Sequence, residues 1–381
     1  MSILIEDSPR NLCKWVVAAI NQKTARGAVI TPFATPWIGK KHRRGARDMA
    51  EMIRDAGGEV WFDATTHALQ APAVGDFRYY NEYDLWGGTQ GQLDNRPARV
   101  DHVTRVFATQ DQLKVPHLGP TVLLHYGETT TSQRALDLSK EALAQDPQCW
   151  LSIAGSPSFW ASGHALDAHV ASLAQLDPAG WFFTVVRTLS AVPVAAEPEE
   201  IHGLCRTARA LGEYAPVHIS HGDLAAMPAI AAGASSLGTG WDQRQRVLSY
   251  DSFEERPDSN SGGGGWFQRP TLQGLLGALM PDEARLLANR DSVRAARLGP
   301  IPAPGPEEAF QHHTGVLRDL VQSICAQTDF RRRYDFLLDR YQRAASEWPQ
   351  VVQITSCMLD DTDWIIPFAS GLRLYGHTEG W

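Results

Sequence analysis

At 381 residues, with 43% hydrophobic and 20% charged residues, the chain has ordinary globular composition, which excludes disordered, collagen-like and coiled-coil classes. A formal net charge of −8 argues against a broad non-specific grip on nucleic acid, although Lys40–Arg44 and Phe330–Tyr334 hold local basic clusters. Five scattered cysteines with no CxxC pair give neither a zinc signature nor a redox motif, and suit free thiols in a reducing compartment.

The N-terminus MSILIEDSPRNLCKW lacks the basic, apolar and small-residue order of a secretory leader. No window approaches the roughly 18 apolar residues of a membrane span. The expectation is a cytoplasmic protein with no membrane partner.

In chain order, short apolar runs alternate with helical patterns, as in parallel βα units. The first run is AVITPFATPW (28–37), followed by the helical stretch RGARDMAEMIRDAGG, closed by Gly57 and Gly58. The next strands are expected at EVWFDATTH, HVTRVFA, TVLLHYG, WLSIAGS, WFFTVVR, PVHISHG and ASSLGTG. Helices are expected at SQRALDLSKEALAQ, ALDAHVASLAQL, PEEIHGLCRTARALG and DLAAMPAIAAG. About eight strands before residue 240 predict an α/β fold, a (β/α)8 TIM barrel, with a doubly wound sheet as the alternative. The glycine run in RPDSNSGGGGW (256–266) reads as a hinge, and RLGPIPAPGPEE (297–308) as a rigid break. This divides the chain into a barrel over 1–255 and a helical C-terminal appendage over 256–381.

In a barrel, the C-terminal strand ends build the active site. FDATTHAL places Asp63 directly after a strand, with His67 a turn later; the acid is a candidate nucleophile or general base, or a helix cap. HISHGD offers His221 beside Asp223 for acid–base work or metal ligation, or Asp223 as a helix cap. In GASSLGTGWDQRQR, Gly238 and Gly240 would let backbone N–H groups face an anion that Arg244 and Arg246 clamp, with Asp242 beside them. Gln110 and Asp111 could read a planar heterocycle, and the aromatic segment GDFRYYNEYDLWGG could either stack a flat ligand or pack as a lid. His312 and His313 are adjacent on a helix and point apart, so no metal is expected, and no cofactor either.

Several of these stretches, taken in order over residues 25–345, resemble the tRNA-guanine transglycosylase superfamily, including relatives acting on DNA. FDATTHALQ resembles that family's strand-two D-S-G-G-F-Q motif, with Asp63 at the acid. The stretch TVLLHYG to WLSIAGS resembles its G-I-V-Q-G-G and A-I-G-G-L strands, placing His125 at the base-reading glutamine and Gly155 in a glycine pair. PVHISHGDLAAMPAIAAGASSLGTGWDQRQR resembles the segment from L-M-G-V-G to T-R-N-[AG]-R, and EAFQHHTGVLRDL the helix that begins with two histidines. The chain departs from the pattern in having Gly238 where the family has its nucleophilic aspartate, with Asp242 displaced by four positions. It also lacks the C-x-C-x-x-C zinc ligands.

The resemblance implies base exchange on a purine or 7-deazaguanine base, as a nucleoside or within tRNA or DNA. Asp63 and Asp242 would be its acids, with His221 as a further acid or base. A homodimer is compatible with the chain. The competing readings are a barrel enzyme for a phosphorylated small molecule and a catalytically silent nucleic-acid-binding barrel.

Overall fold

The structure is a computed structural model that describes residues 2–8, 13–41, 43–70, 78–189, 191–250, 269–356 and 362–381. The glycine run and the first three residues of the aromatic segment lie outside the described residues.

Nine strand segments form one parallel sheet: β1 (Ser2–Ile5), β2 (Gly27–Ile30), β3 (Glu59–Phe62), β4 (Leu118–Gly119), β5 (Leu123–Leu124), β6 (Trp150–Gly155), β7 (Gly180–Val185), β8 (Val217–Ser220) and β9 (Ser236–Thr239). The helices α1 (Cys13–Asn21), α2 (Ala46–Asp55), α3 (Arg96–Leu113), α4 (Thr130–Gln145), α5 (Pro157–Trp160), α6 (His164–Leu173), α7 (Pro198–Gly212) and α8 (Met227–Ala232) alternate with them. The strands run in the order β3-β2-β1-β9-β8-β7-β6-β4, with β5 also on β6, so β4 and β5 form one broken barrel strand. First and last strands pair in parallel, Leu4 beside Gly238 and Ile5 beside Thr239. The fold is a nearly closed (β/α)8 barrel.

The one seam, between β3 and β4, is spanned by a side chain. Gln110 Nε2 donates to the carbonyls of Phe62 and Leu118, both at 3.0 Å, and its Oε1 accepts from Leu118 N–H at 3.2 Å. An amide has the donor and acceptor complement that this gap in the ladder leaves open.

Alternation along the strands separates two cores. Ile3, Ile5, Ile30, Phe62, Ile153, Phe183, Val217 and Leu237 face the helices. Leu4, Val29, Trp61, Leu118 and Phe182 fill the barrel floor, with Trp61 edge-on to Trp150 at a centroid distance of 4.8 Å. Toward the mouth, a third cluster joins Ala68, Leu123, Ala154, Val186 and Leu248, with Phe33 and Tyr250 against it.

The eight-strand count is met by a different set of strands than expected. HVTRVFA lies inside α3, whose buried residues His102, Val103, Val106, Phe107 and Gln110 recur at helical spacing. Asn95 caps that helix by accepting from Ala98 N–H. The strand it was expected to supply is β1, at the N-terminus. Asp63 consequently follows the third barrel strand, not the second.

After β9 come α9 (Gln243–Arg246), a short β10–β11 hairpin (Thr271–Leu272, Gly277–Ala278) and five helices: α10 (Pro281–Arg290), α11 (Ser292–Leu298), α12 (Pro306–Cys325), α13 (Phe330–Thr355) and α14 (Thr362–Thr378). α12 and α13 pack on α8, and α14 packs on α7. No helix among the described residues is long and apolar enough to cross a membrane.

Candidate active site

β1 ends in two acids. Its inward alternation, Leu4 then Glu6, points the Glu6 carboxylate into the upper barrel, where it is buried. Glu6 Oε1 accepts from Ser220 Oγ and from His221 N–H, each at 3.0 Å, and lies 3.8 Å from both His218 Nε2 and His221 Nδ1. Burial by itself would raise the Glu6 pKa, but the His221 and His218 imidazoles and the donated hydrogen bonds outweigh it, leaving the carboxyl below its ordinary value. Gly238, on the neighbouring strand, makes room for it: a β-carbon there would lie 1.8 Å from Glu6 Oε1.

Asp63 follows β3, its Oδ1 accepting from Thr65 N–H at 2.7 Å. Burial pushes its pKa up to about 6; the Thr65 N–H opposes this, and the Glu6 charge adds to the rise. Two carboxyls within electrostatic reach of each other thus have their pKa values pushed in opposite directions, Glu6 down and Asp63 up. Asp7 is also raised to about 6 by burial, against hydrogen bonds from Thr31 and Ser8 N–H at 3.0 and 2.8 Å.

Two histidines complete the mouth. His221 Nδ1 is 2.8 Å from Ser220 Oγ. Because Ser220 donates to the acceptor-only Glu6, its oxygen accepts from His221 Nδ1–H, which leaves Nε2 with the lone pair. Burial lowers the His221 pKa and Glu6 only partly offsets this. His67 lies in the 3-10 turn Thr66–Gln70, buried, with neither ring nitrogen hydrogen-bonded. Burial and the nearby His221 hold it down to about 3. Thr65, His221 and Asp223 all have left-handed backbone angles, φ of +49°, +51° and +45°. Such strain in non-glycine residues concentrates at functional sites.

A second network ties the mouth to the C-terminal helices. Arg246 grips Asp223 with Nε to Oδ2 at 2.5 Å and an Nη2 bond to Oδ1 at 3.1 Å. The same Oδ2 accepts from Thr239 Oγ1 at 2.7 Å and meets His313 Nε2 at 3.0 Å, while His313 Nδ1 meets Thr271 Oγ1 at 2.8 Å. Burial opposes the Asp223 charge, but Arg246 and His313 hold its pKa well below the usual carboxylate range.

The glycine-rich turn is filled from within. Gln245 Oε1 accepts from the N–H groups of Trp241 and Asp242, both at 2.9 Å, and its Nε2 donates to the Glu6 carbonyl. A β-carbon on Gly240 would lie 2.3 Å from Gln245 Cδ. The donors expected to face an anion already have an acceptor, and Arg246 is paired with Asp223. Asp242 caps α9 by accepting from Arg244 N–H at 3.1 Å, with Arg244 Nε at 3.5 Å.

The other expected residues lie apart from this centre. Gln110 spans the barrel seam. Asp111 pairs with His117 Nε2 at 3.1 Å on the surface. His125 is exposed after β5. Gly155 leaves room for Phe159, whose Cδ1 would be 2.2 Å from a β-carbon there. In the aromatic segment, Tyr80 and Tyr83 are buried against Phe33 and Trp37, and Trp86 stacks on His102. Among the described residues, no group of three or more His, Cys, Asp or Glu side chains is placed to hold a metal ion.

Asp63 and His221 are thus brought together with Glu6 and His67, neither of which had been assigned a site role. The missed signal is an apolar run ending in acids, SILIED, the same pattern that marked Asp63 in EVWFD.

A narrow recess adjoins His221, lined by Val185, Val194, Leu204, Ile219 and the Arg187–Glu200 ion pair.

No family model matches the chain, and no curated protein matches it. Among solved structures it is similar to a GH10 xylanase of Thermobacillus composti, at TM-score 0.36 and 11% identity over 66% of this chain and 84% of that one. A psychrophilic glycoside hydrolase family 10 endo-β-1,4-xylanase gives TM-score 0.35 and 11% identity over 67% and 94% of the two chains. A probable tagatose 6 phosphate kinase from Sinorhizobium meliloti 1021 gives 0.33 and 12% over 98% and 99%. These are distant likenesses, and none bears on the chemistry of the mouth.

Proposed function

We propose that the chain is a barrel enzyme of glycosyl transfer, acting on the bond between a sugar and a purine-like base such as a 7-deazaguanine, in a nucleoside or a nucleic acid. The observation that carries this reading is the buried Glu6 carboxylate, which occupies the space a β-carbon on Gly238 would take, with Asp63 within electrostatic reach of it. Glu6 Oε2 attacks the anomeric carbon as the C1–N bond breaks; the bonding pair leaves on the base nitrogen, which takes the Asp63 proton. An incoming base or water then attacks C1, gives its proton to the Asp63 carboxylate and releases Glu6. The sequence resemblance supports the base as leaving group, and Glu6 supplies from β1 a carboxylate in the space above Gly238, where that family carries its aspartate. The pair is therefore Glu6 with Asp63, because Asp242 is engaged as a helix cap. A phosphate-binding barrel is not favoured by a turn whose donors Gln245 already satisfies.

The test is release or exchange of labelled guanine or 7-deazaguanine from guanosine, a tRNA and a DNA oligonucleotide, with Glu6→Gln and Asp242→Asn beside the wild type. The expected result is activity lost in Glu6→Gln and kept in Asp242→Asn. No release from any substrate, or full activity in Glu6→Gln, overturns the assignment.

A further inference from the structure

Several polar atoms of residues at or beyond the strand ends have no partners. Both ring nitrogens of His67, Oη of Tyr250 and Oε2 of Glu6 are buried and make no hydrogen bond. A buried polar group left unpaired is costly, and a cluster of them marks a place where a ligand completes the bonding.

Two distant stretches of the chain meet near these atoms. Beyond α9, residues 247–250 cross from β9 to the end of β7, where Arg187 N–H donates to the Leu248 carbonyl at 3.0 Å and Tyr250 N–H to the Arg187 carbonyl at 3.3 Å. This strap buries Leu248 in the apolar cluster that also holds Ala68, next in sequence to His67, with Tyr250 packed against it. Tyr250 therefore packs against the turn that carries His67, and His67 lies within electrostatic reach of His221, which touches Glu6.

Resting on the reading given above, we propose that His67 and Tyr250 select the ligand by hydrogen-bonding the hydroxyl groups of a sugar ring held at this mouth. Each hydroxyl both donates and accepts. It therefore matches a neutral imidazole with one donor and one acceptor, a phenol that can do either, and a carboxylate oxygen that only accepts. Burial keeps His67 neutral across the physiological range. An anionic group is unsuited to the place: Glu6 and Asp63 stand at this mouth, Arg187 is paired with Glu200 and Arg246 with Asp223. The hydroxyls could belong to a nucleoside or to an oligosaccharide.

The experiment is calorimetric titration of the full chain with guanosine, 2′-deoxyguanosine and cellotriose, on the wild type, His67→Phe, His67→Gln and Tyr250→Phe. The wild type is expected to bind guanosine about tenfold more tightly than 2′-deoxyguanosine, the effect of one buried hydrogen bond. His67→Phe or Tyr250→Phe brings that ratio to within about twofold, whereas His67→Gln, which keeps a donor and an acceptor, preserves it. A preference for guanosine without any base release would sink the proposed reaction and leave the sugar reading standing. Cellotriose binding that weakens about tenfold in His67→Phe or Tyr250→Phe, with no nucleoside bound, would do the same and name the oligosaccharide as the source. The inference is overturned if no probe binds, if guanosine and 2′-deoxyguanosine bind alike with cellotriose unbound, or if both phenylalanine variants bind every probe as the wild type does.

Discussion

Gly238 has no side chain because the Glu6 carboxylate occupies the place its β-carbon would take, 1.8 Å from Oε1. Gly238 lies in the last strand of the barrel and Glu6 directly follows the first, the two strands being paired side by side. The acid of the proposed chemistry thus stands on one strand in space cleared by the other.

Glu6→Gln removes the charge with little change of shape. Turnover should fall by about 10⁴-fold or more, because the nucleophile that forms the covalent intermediate is lost. Gly238→Ala should do comparable damage by displacing the carboxylate, at a stability cost of about 1–3 kcal/mol from overpacking. Adding Glu6→Ala to Gly238→Ala should recover that stability in a denaturant titration without restoring turnover. A Gly238→Ala enzyme with full activity would show that the carboxylate position is unimportant.

The raised Asp63 pKa sets the pH behaviour. If Asp63 delivers a proton to the leaving base, kcat/KM should decline tenfold per pH unit once the pH passes about 6. For stability the sign is also fixed. A carboxyl whose folded pKa lies above its unfolded value favours the folded state at low pH, and that advantage is lost as the pH rises through the folded pKa. Asp63→Asn should therefore stabilise the protein at pH 7.5 and leave it nearly unchanged at pH 3. Melting curves at the two pH values decide this.

Asp223 behaves oppositely, since its folded pKa is depressed. It contributes stability above the ordinary carboxylate range, and that stability is lost only as the pH falls through the folded pKa. Asp223→Ala leaves Arg246 and His313 buried without their acid and should cost about 3–5 kcal/mol at pH 7. Because His313 lies on α12, limited proteolysis should cut the C-terminal helices of this variant faster than those of the wild type. Equal rates would argue against an anchoring role.

Gln110 is placed to hold the barrel seam shut. Gln110→Ala would strand two carbonyls and one N–H and should cost about 3 kcal/mol or more. Gln110→Glu should be at least as harmful, because a carboxylate cannot donate to the Phe62 and Leu118 carbonyls. Hydrogen exchange should show the loss first in the amide of Leu118.

Much of the architecture was legible in the chain. The α7 boundaries follow from the proline and glutamates at its start and the glycine at its end, and the strands at WLSIAGS and WFFTVVR from apolar runs of strand length. HVTRVFA misled because β-branched residues in a short apolar run fit either period, and only the longer spacing from His102 to Leu113 shows the helix. Asp63 and His221 were legible as polar residues directly after apolar runs, and Glu6 obeys the same rule.

By itself, the sequence determined which residues alternate toward the barrel interior and which chemical groups stand at the strand ends, because both are properties of local periodicity. Only the tertiary structure decided how those groups are shared. Closure of β1 on β9 put Glu6 over Gly238, and the β3–β4 seam engaged Gln110. The turn after β9 folded Gln245 back on its own N–H groups. Each of these depends on a partner distant in sequence, and a donor or acceptor already satisfied within the fold cannot be told from a free one by its residue type.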